Sequence, residues 1–233
     1  ADGVDIVQFD EPAFNVYMAD AADWGVQALE RAAQGLVCTT AVHICYGYGI
    51  QANVDWKQTL GSEWRQYEQV FPALAKSRID QVSLECYHSH VPPELMALLA
   101  GKDVMVGVID VASDVVETPE EVADTIGRAL QHVPRHRLIA CTNCGLAPMK
   151  RAVAEAKLRA LAAGAALAAE PLLGDSAQWQ HFLALAGCNY DGKIVADFND
   201  AGLMLQAAEQ DIGIALAREV LAADALRDGR LVR

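Results

Sequence analysis

The chain of 233 residues is poor in basic side chains and has no long apolar run. Lysine and arginine number 18 against 31 aspartates and glutamates, which gives a formal net charge of −13. A surface that binds nucleic acid needs basic groups to displace counterions from phosphates, so this balance argues against a nucleic-acid partner. No apolar run reaches the roughly 20 residues that span a bilayer, which argues against a membrane segment.

The six cysteines lack the spacing of a disulfide framework. With 53% hydrophobic residues, the chain can build a sizeable core without covalent staples. Its first residues run into a strand-like segment and lack the basic and apolar regions of a secretory leader. These features predict a reducing, cytoplasmic setting.

Five apolar, β-branched runs alternate with amphipathic segments over the first 170 residues. The predicted strands are 4–9, 41–46, 81–86, 104–111 and 138–142, and the predicted helices are 23–34, 63–75, 92–99, 118–131 and 149–169. Continuous apolar strands separated by helices predict a parallel sheet covered on both faces. The spacing suits a (β/α)8 TIM-type barrel, which has eight strands when complete. We therefore predict a partial barrel of about the last five βα units.

The pattern changes near Pro171, where the predicted elements become shorter. Helices are predicted at 175–186, 200–209 and 217–223, and strands at 193–198 and 212–216. This predicts a small α/β appendage and a division of the chain into residues 1–169 and 170–233.

Four side chains near predicted strand ends form a candidate metal site. His43 and Cys45 are two residues apart in one predicted strand and so share a face. Glu85 ends the third strand, where an unpaired carboxylate would be costly to bury, and Cys144 follows the fifth. The carboxyl ends of barrel strands meet at one rim, and this set of nitrogen, sulfur and oxygen donors suits Zn²⁺. A core histidine beside buried cysteines remains the alternative interpretation.

Five segments resemble, in order, the C-terminal barrel of cobalamin-independent methionine synthases, above all the short core forms: IVQFDEPAF, AVHICYGYG, VSLEC, VGVIDV and TNCGLAPM. The resemblance covers about residues 1–168. It implies that His43, Cys45, Glu85 and Cys144 bind zinc. It also implies that Asp10 of the Q-x-D-E-P motif binds the amino group of homocysteine, which makes Asp10 the catalytic candidate and places it with Glu85 at the substrate site. The implied reaction transfers a methyl group from a methyl-tetrahydrofolate-type donor to zinc-bound homocysteine thiolate, giving methionine.

The sequence departs from this family at two places. The D-x-H-S motif of full-length members stands here as Asp110-Val111-Ala112-Ser113, so the histidine is replaced by alanine. The family's barrel also begins well before Q-x-D-E-P, and its first three strands have no counterpart here. We expect an S-methyltransferase only if those strands are supplied. The alternatives are a catalytically incomplete zinc-binding fragment, self-association through open barrel edges, and a sister barrel family such as the corrinoid-linked methyltransferases or uroporphyrinogen decarboxylases.

The tail, about residues 172–233, resembles the end of a LysR-type regulator's effector-binding domain. The helix-turn-helix and the first half of that domain have no counterpart, so the resemblance does not imply DNA binding. It leaves a third hypothesis, a module that binds small-molecule effectors.

Overall fold

The computed structural model describes residues 3–47, 51–87, 90–169, 172–173, 175–185, 194–196, 200–210, 213–217 and 219–231. The first five strands are β1 (Ile6–Asp10), β2 (Thr39–His43), β3 (Gln81–Glu85), β4 (Asp103–Ile109) and β5 (Leu138–Thr142). The helices that accompany them are α1 (Met18–Asp20), α2 (Val26–Ala32), α3 (Gln51–Lys57), α4 (Tyr67–Lys76), α5 (Pro119–Leu130) and α6 (Arg151–Ala169). A π-helical turn at Ala21–Gly25 joins α1 to α2, and 3₁₀ helices lie at Pro12–Asn15, Pro93–Leu99 and Arg135–Arg137.

These five strands form one sheet in the order β1-β2-β3-β4-β5, and every pair is parallel. Consecutive strands are therefore neighbours, joined by helical connections, as the alternating sequence pattern predicts. Because all strands run the same way, their carboxyl ends lie at one edge of the sheet. The predicted site residues at and just past that edge come from β1, β2, β3 and β5.

The two faces of the sheet differ in chemistry. On one face Val42, Val82 and Val104 are register partners, and all three are fully buried in the main core with residues of α4 and α5. Burying a valine side chain stabilises the fold by about 1.5–3 kcal/mol. On the opposite face His43 and Ser83 are register partners, and both are buried too. Polar side chains are therefore concentrated on the face that does not form this core.

Two local predictions need correction. Strand β2 was expected to reach residue 46 but ends at His43, so Cys45 lies in the turn that follows the strand. The segment between the predicted strand 41–46 and the predicted helix 63–75, where no element was predicted, contains helix α3. The predicted start of α5 is confirmed in detail, since Thr118 and Glu121 form a capping box.

The tail builds a second, smaller sheet. Its elements are β6 (Leu172–Leu173), α7 (Ser176–Leu185), β7 (Ile194–Ala196), α8 (Ala201–Glu209), β8 (Ile214–Ala215) and α9 (Glu219–Arg227). The three short strands are parallel in the order β7-β6-β8, and Leu173 packs with Met204 and Ala207 in a small core. The α/β appendage is thus confirmed, whereas the boundary between residues 169 and 170 stays a prediction. None of the described helices is both long and apolar enough to cross a bilayer.

A buried ion pair ties α6 to the loop between β4 and α5. Lys157 is fully buried, and its Nζ donates to both carboxylate oxygens of Glu117 at 2.9 Å and to the carbonyl of Val115. Oxygen Oε1 of Glu117 also accepts the backbone N–H of Asp110 at 2.9 Å. The pair therefore fixes the loop that leaves the carboxyl end of β4.

We expect the substitution Lys157→Met to lower the free energy of unfolding by about 3–5 kcal/mol, because it leaves the Glu117 carboxylate buried without its cation. Urea denaturation measures this loss. The double variant Glu117→Gln/Lys157→Met should recover much of it. The control Lys150→Met removes a cation that is 83% exposed, and should change stability by no more than about 0.5 kcal/mol. Equal effects of Lys157→Met and Lys150→Met would contradict the prediction.

Candidate metal centre

Three of the four predicted ligands meet at the carboxyl edge of the main sheet. The imidazole of His43 and the thiols of Cys45 and Cys144 each offer an atom within 4.8 Å of the others. Sulfur Sγ of Cys144 lies 3.3 Å from Sγ of Cys45 and 3.4 Å from Nε2 of His43. His43 ends β2, Cys45 follows it in the turn, and Cys144 follows β5. The predicted convergence of strand ends is thus observed for these three side chains.

Ser83 sets the orientation of the His43 ring. Its hydroxyl lies 2.5 Å from Nδ1 of His43, across the β2–β3 pair in which the two residues are register partners. With Nδ1 engaged in that hydrogen bond, Nε2 faces the Cys144 sulfur. A hydrogen-bond partner on the far nitrogen is the usual way in which proteins orient a metal-binding histidine.

The turn after β2 orients Cys45. The backbone N–H of Gly47 donates to Sγ of Cys45 at 3.0 Å, and Gly47 has φ of 74°, in the left-handed region that favours glycine. The ammonium group of Lys57 in α3 donates to the carbonyl of Gly47 at 2.8 Å. Helix α3, which the sequence pattern did not predict, therefore helps to hold the cysteine turn.

The pKa values of the three side chains are shifted in different directions. The hydrogen bond between the two thiols lowers the pKa of Cys144, and the hydrogen bond and charge of His43 add to this effect against the opposing effect of burial. The same hydrogen bond, together with burial, raises the pKa of Cys45. Burial lowers the pKa of His43, but the hydrogen bond and charge of Cys144, followed by the charges of Glu85 and Asp10, outweigh it and leave the pKa raised. Of the two thiols, Cys144 is therefore the one that loses its proton more readily.

One imidazole and two thiols fit Zn²⁺ chemically. Zinc takes histidine nitrogen and cysteine thiolate together in tetrahedral sites. Each of the three donor atoms must be free of its proton to bind a cation, and the lowered pKa of Cys144 favours this at that residue. The donor set is thus of the kind that zinc sites use, and it supplies three of the four ligands of a tetrahedral centre.

Glu85 lies beside this group but outside it. It ends β3, is fully buried, and its Oε1 accepts the backbone N–H of Tyr46 at 2.9 Å. Its negative charge contributes to the raised pKa values of both His43 and Cys45, so it is an electrostatic neighbour of both. In this structure the carboxylate holds the cysteine turn. Its predicted roles as zinc ligand and substrate contact stay predictions.

Asp10 occupies the corresponding position on the neighbouring strand. It ends β1 and is the register partner of His43. Its exposed carboxylate accepts a hydrogen bond from Nε2 of Gln8 at 2.9 Å. Register partners on parallel strands point to the same face of a sheet. Asp10 therefore borders the metal group on the solvent side, and its roles in catalysis and substrate binding stay predictions.

Sequence reasoning missed two supporting residues, Ser83 and Asn143. The side chain of Asn143 is buried, donates to the carbonyl of Tyr87 at 2.8 Å and accepts the N–H of Cys86 at 3.3 Å. A Cβ on Gly107 would lie 2.3 Å from Oδ1 of Asn143, so glycine is required there. This network fixes the residue before Cys144. The sequence signal that could have identified Asn143 is its position, since it is a polar residue directly before the candidate ligand Cys144.

The chain matches known proteins over its first part. The family model described as the catalytic domain of the cobalamin-independent synthase matches residues 1–167. The solved structure of a B12-independent methionine synthase from Shewanella sp. W3-18-1, in complex with selenomethionine, is 59% identical and superposes with a TM-score of 0.68. That similarity covers 78% of this chain and 50% of the Shewanella chain. It confirms the partial (β/α)8 barrel.

Archaeal sequences give the same result. A methionine synthase of Saccharolobus solfataricus is 30% identical over 172 residues, and one of Saccharolobus islandicus is 31% identical over 172 residues. Each alignment covers 73% of this chain and 46% of the relative. The chain thus spans about half the length of the relatives it matches. The family match ends before the tail, so the resemblance of the tail to LysR-type domains stays a prediction.

We expect Ser83→Ala to weaken zinc binding by about 10–100-fold, because the His43 ring loses the hydrogen bond that orients it. Competition with a chromophoric chelator measures the affinity. Ser77→Ala is the matched control, since Ser77 is equally a buried serine but donates to the carbonyl of Leu74 instead. An unchanged affinity in Ser83→Ala would show that the ring is held by other contacts.

Proposed function

Because the chain belongs to the cobalamin-independent methionine synthase family, we propose that it carries the zinc site of a methionine-forming methyltransferase. The reaction would transfer a methyl group from a methyl-tetrahydrofolate-type donor to the thiolate of homocysteine. The observation that carries the proposal is the convergence of His43, Cys45 and Cys144 within 4.8 Å at the carboxyl edge of the sheet. In barrel enzymes this edge carries the active site.

Zinc bound at these residues would lower the pKa of the homocysteine thiol, so that the nucleophile is a thiolate at neutral pH. Two cysteine thiolates and a neutral imidazole already balance the charge of the cation. Adding the carboxylate of Glu85 would bring the centre to about −1, and an electron-rich centre favours a reactive sulfur. Glu85 is therefore proposed as the fourth ligand, supported by its position at the end of β3, where its carboxylate contacts the turn that carries Cys45.

Asp10 is proposed to bind the amino group of homocysteine. A carboxylate attracts an ammonium group, and Asp10 lies exposed at the end of β1, directly beside His43 in the β1–β2 register. One small amino acid could thus reach both the metal ligands and this carboxylate. The loop after β4 has Ala112 where related enzymes carry a histidine, and its N–H donates to Oδ1 of Asp110 at 2.8 Å. Any proton transfer assigned to that histidine must come from another group.

We predict one zinc per chain, lost in Cys45→Ser and in Cys144→Ser because each removes a thiolate donor. Metal analysis of the purified protein after dialysis measures the stoichiometry. Cys38→Ser is the control, since Cys38 precedes β2 and lies outside the metal group. Glu85→Gln tests the fourth ligand: the amide oxygen can still accept the N–H of Tyr46, while the charge is removed. We expect weaker zinc binding in Glu85→Gln.

Purified protein that takes up no zinc, even when zinc is added, would exclude the proposed function. Full zinc binding by Glu85→Gln would exclude Glu85 as a ligand while leaving the three-residue site intact.

The second candidate function is that of a zinc-binding chain that becomes catalytically active only after further strands join its sheet. Among the described residues, β1 pairs with β2 alone. The carbonyl of Asp5 accepts the N–H of Thr39, and the N–H of Glu11 donates to the carbonyl of His43. The backbone N–H and carbonyl groups of the odd-numbered residues of β1 therefore point toward β2. The even-numbered residues Ile6, Gln8 and Asp10 then direct their backbone groups to the open side.

The exposure of β1 also supports strand addition. Ile6 in β1 is 51% exposed, and Val4, which lies just before β1, is 57% exposed, although both side chains are apolar. An open strand edge with apolar side chains is a surface on which another strand can pair. The occupant we propose is the remaining part of a barrel of the same family, since this chain corresponds to half of the Shewanella enzyme. Self-association through the same edge is the competing outcome.

We expect no turnover of homocysteine and methyl-tetrahydrofolate by this chain alone. Co-expression with the half of the Shewanella chain that it does not match should yield a complex with activity. Gln8→Pro removes an outward N–H and should weaken that complex while changing the stability of the free chain little. Phe9→Pro, the control, removes an N–H that faces β2 and should destabilise the chain itself. Turnover by the isolated chain, or a self-associated chain of full activity, would refute this candidate.

A further inference from the structure

Four side chains from four separate segments hold the turn after β2, which lies beyond the sheet's hydrogen-bond ladder. Tyr67 donates its hydroxyl to the carbonyl of Ile44 at 2.9 Å, Glu85 accepts the N–H of Tyr46, and Lys57 donates to the carbonyl of Gly47. The fourth contact is made by Asn15, whose Nδ2 donates to the carbonyl of Cys45 at 3.3 Å. It is the contact that reaches the backbone of the cysteine itself.

Asn15 is an unusual residue for its surroundings. It ends the 3₁₀ helix Pro12–Asn15 and is only 1% exposed, next to the buried Phe14. Within the described part of the chain, its Oδ1 is the single buried side-chain nitrogen or oxygen that lacks a hydrogen-bond partner. A carbonyl can only accept, so the amide must turn its nitrogen to Cys45 and leave the oxygen unsatisfied.

The unsatisfied oxygen of Asn15 indicates that the role of this side chain lies in its amide donor. A leucine of similar volume would pack here without burying a polar atom, so core packing alone does not favour asparagine. What asparagine adds is one donor, and that donor is used on the carbonyl of a candidate metal ligand. We propose that Asn15 is a positioning residue that fixes the backbone of Cys45 and thereby keeps its thiol within reach of a metal held by His43 and Cys144.

This inference rests on the proposed zinc site and extends it to a residue on a different strand connection. The 3₁₀ helix of Asn15 directly follows β1, whose last residue is Asp10. The contact between Asn15 and Cys45 therefore also links the connection after the candidate substrate residue to the turn after β2. Because β1 and β2 are paired in the sheet, this contact adds a second link between their carboxyl ends.

The test is cobalt binding by the full chain and by variants of Asn15. Cobalt(II) reports each thiolate through its sulfur-to-metal charge-transfer absorption. The wild type should show the absorption of two thiolates. Asn15→Leu should lose about half of it, approaching Cys45→Ser, and should bind cobalt about 10–100-fold more weakly. Asn15→Asp removes the donor while keeping the shape. For this variant the spectrum is the readout, because added negative charge attracts a cation whatever the geometry.

Phe14→Leu is the matched control, since Phe14 is buried on the same 3₁₀ helix and packs near Gly25, and its apolar side chain makes no hydrogen bond to the cysteine turn. It should lose stability in urea while keeping the two-thiolate spectrum. If both Asn15 variants keep the wild-type spectrum, or if Phe14→Leu loses as much absorption as they do, Asn15 is a packing residue and the inference is wrong. A wild-type chain that binds no cobalt and no zinc would instead overturn the zinc site itself, and this inference with it.

Discussion

The turn that follows β2 is the constraint on which the candidate metal centre depends. Parallel pairing can place His43, because it is the last residue of a strand whose register with β3 is fixed. It cannot place Cys45, which lies past the ladder and has no strand partner. Side chains of Asn15, Lys57, Tyr67 and Glu85 supply the contacts that a sheet would otherwise provide. Irregular backbone can hold a ligand accurately when its polar groups are satisfied in this way.

The same principle applies on the opposite side of the centre. Cys144 follows β5 in a turn fixed by the buried amide of Asn143, and the neighbouring loop after β4 is held by the Lys157–Glu117 pair. In each case a buried polar side chain reaches from one βα unit to the connection of another. The apolar face of the sheet builds the core, and these polar contacts determine the conformation of the edge where chemistry is proposed.

Family membership and completeness are separate questions for this chain. The matched region includes the three converged donors, yet it spans only about half of the related enzymes. The proposed zinc site uses strand ends and turns that the described residues already form. The proposed turnover also involves Asp10, which ends β1, and among the described residues β1 pairs with β2 alone. Metal binding and turnover are therefore expected to have different structural requirements.

The sequence by itself determined the order of the βα units, the capped start of α5 at Thr118, and the meeting of His43 with the two cysteines, because periodicity, capping chemistry and strand ends are local signals. The tertiary structure decided the rest. It ended β2 before Cys45, turned the Glu85 carboxylate toward Tyr46, and buried Asn15 and Lys157 against partners 30 and 40 residues away. Those contacts depend on how the side chains of separate units pack, and no local pattern in the chain specifies these particular hydrogen bonds.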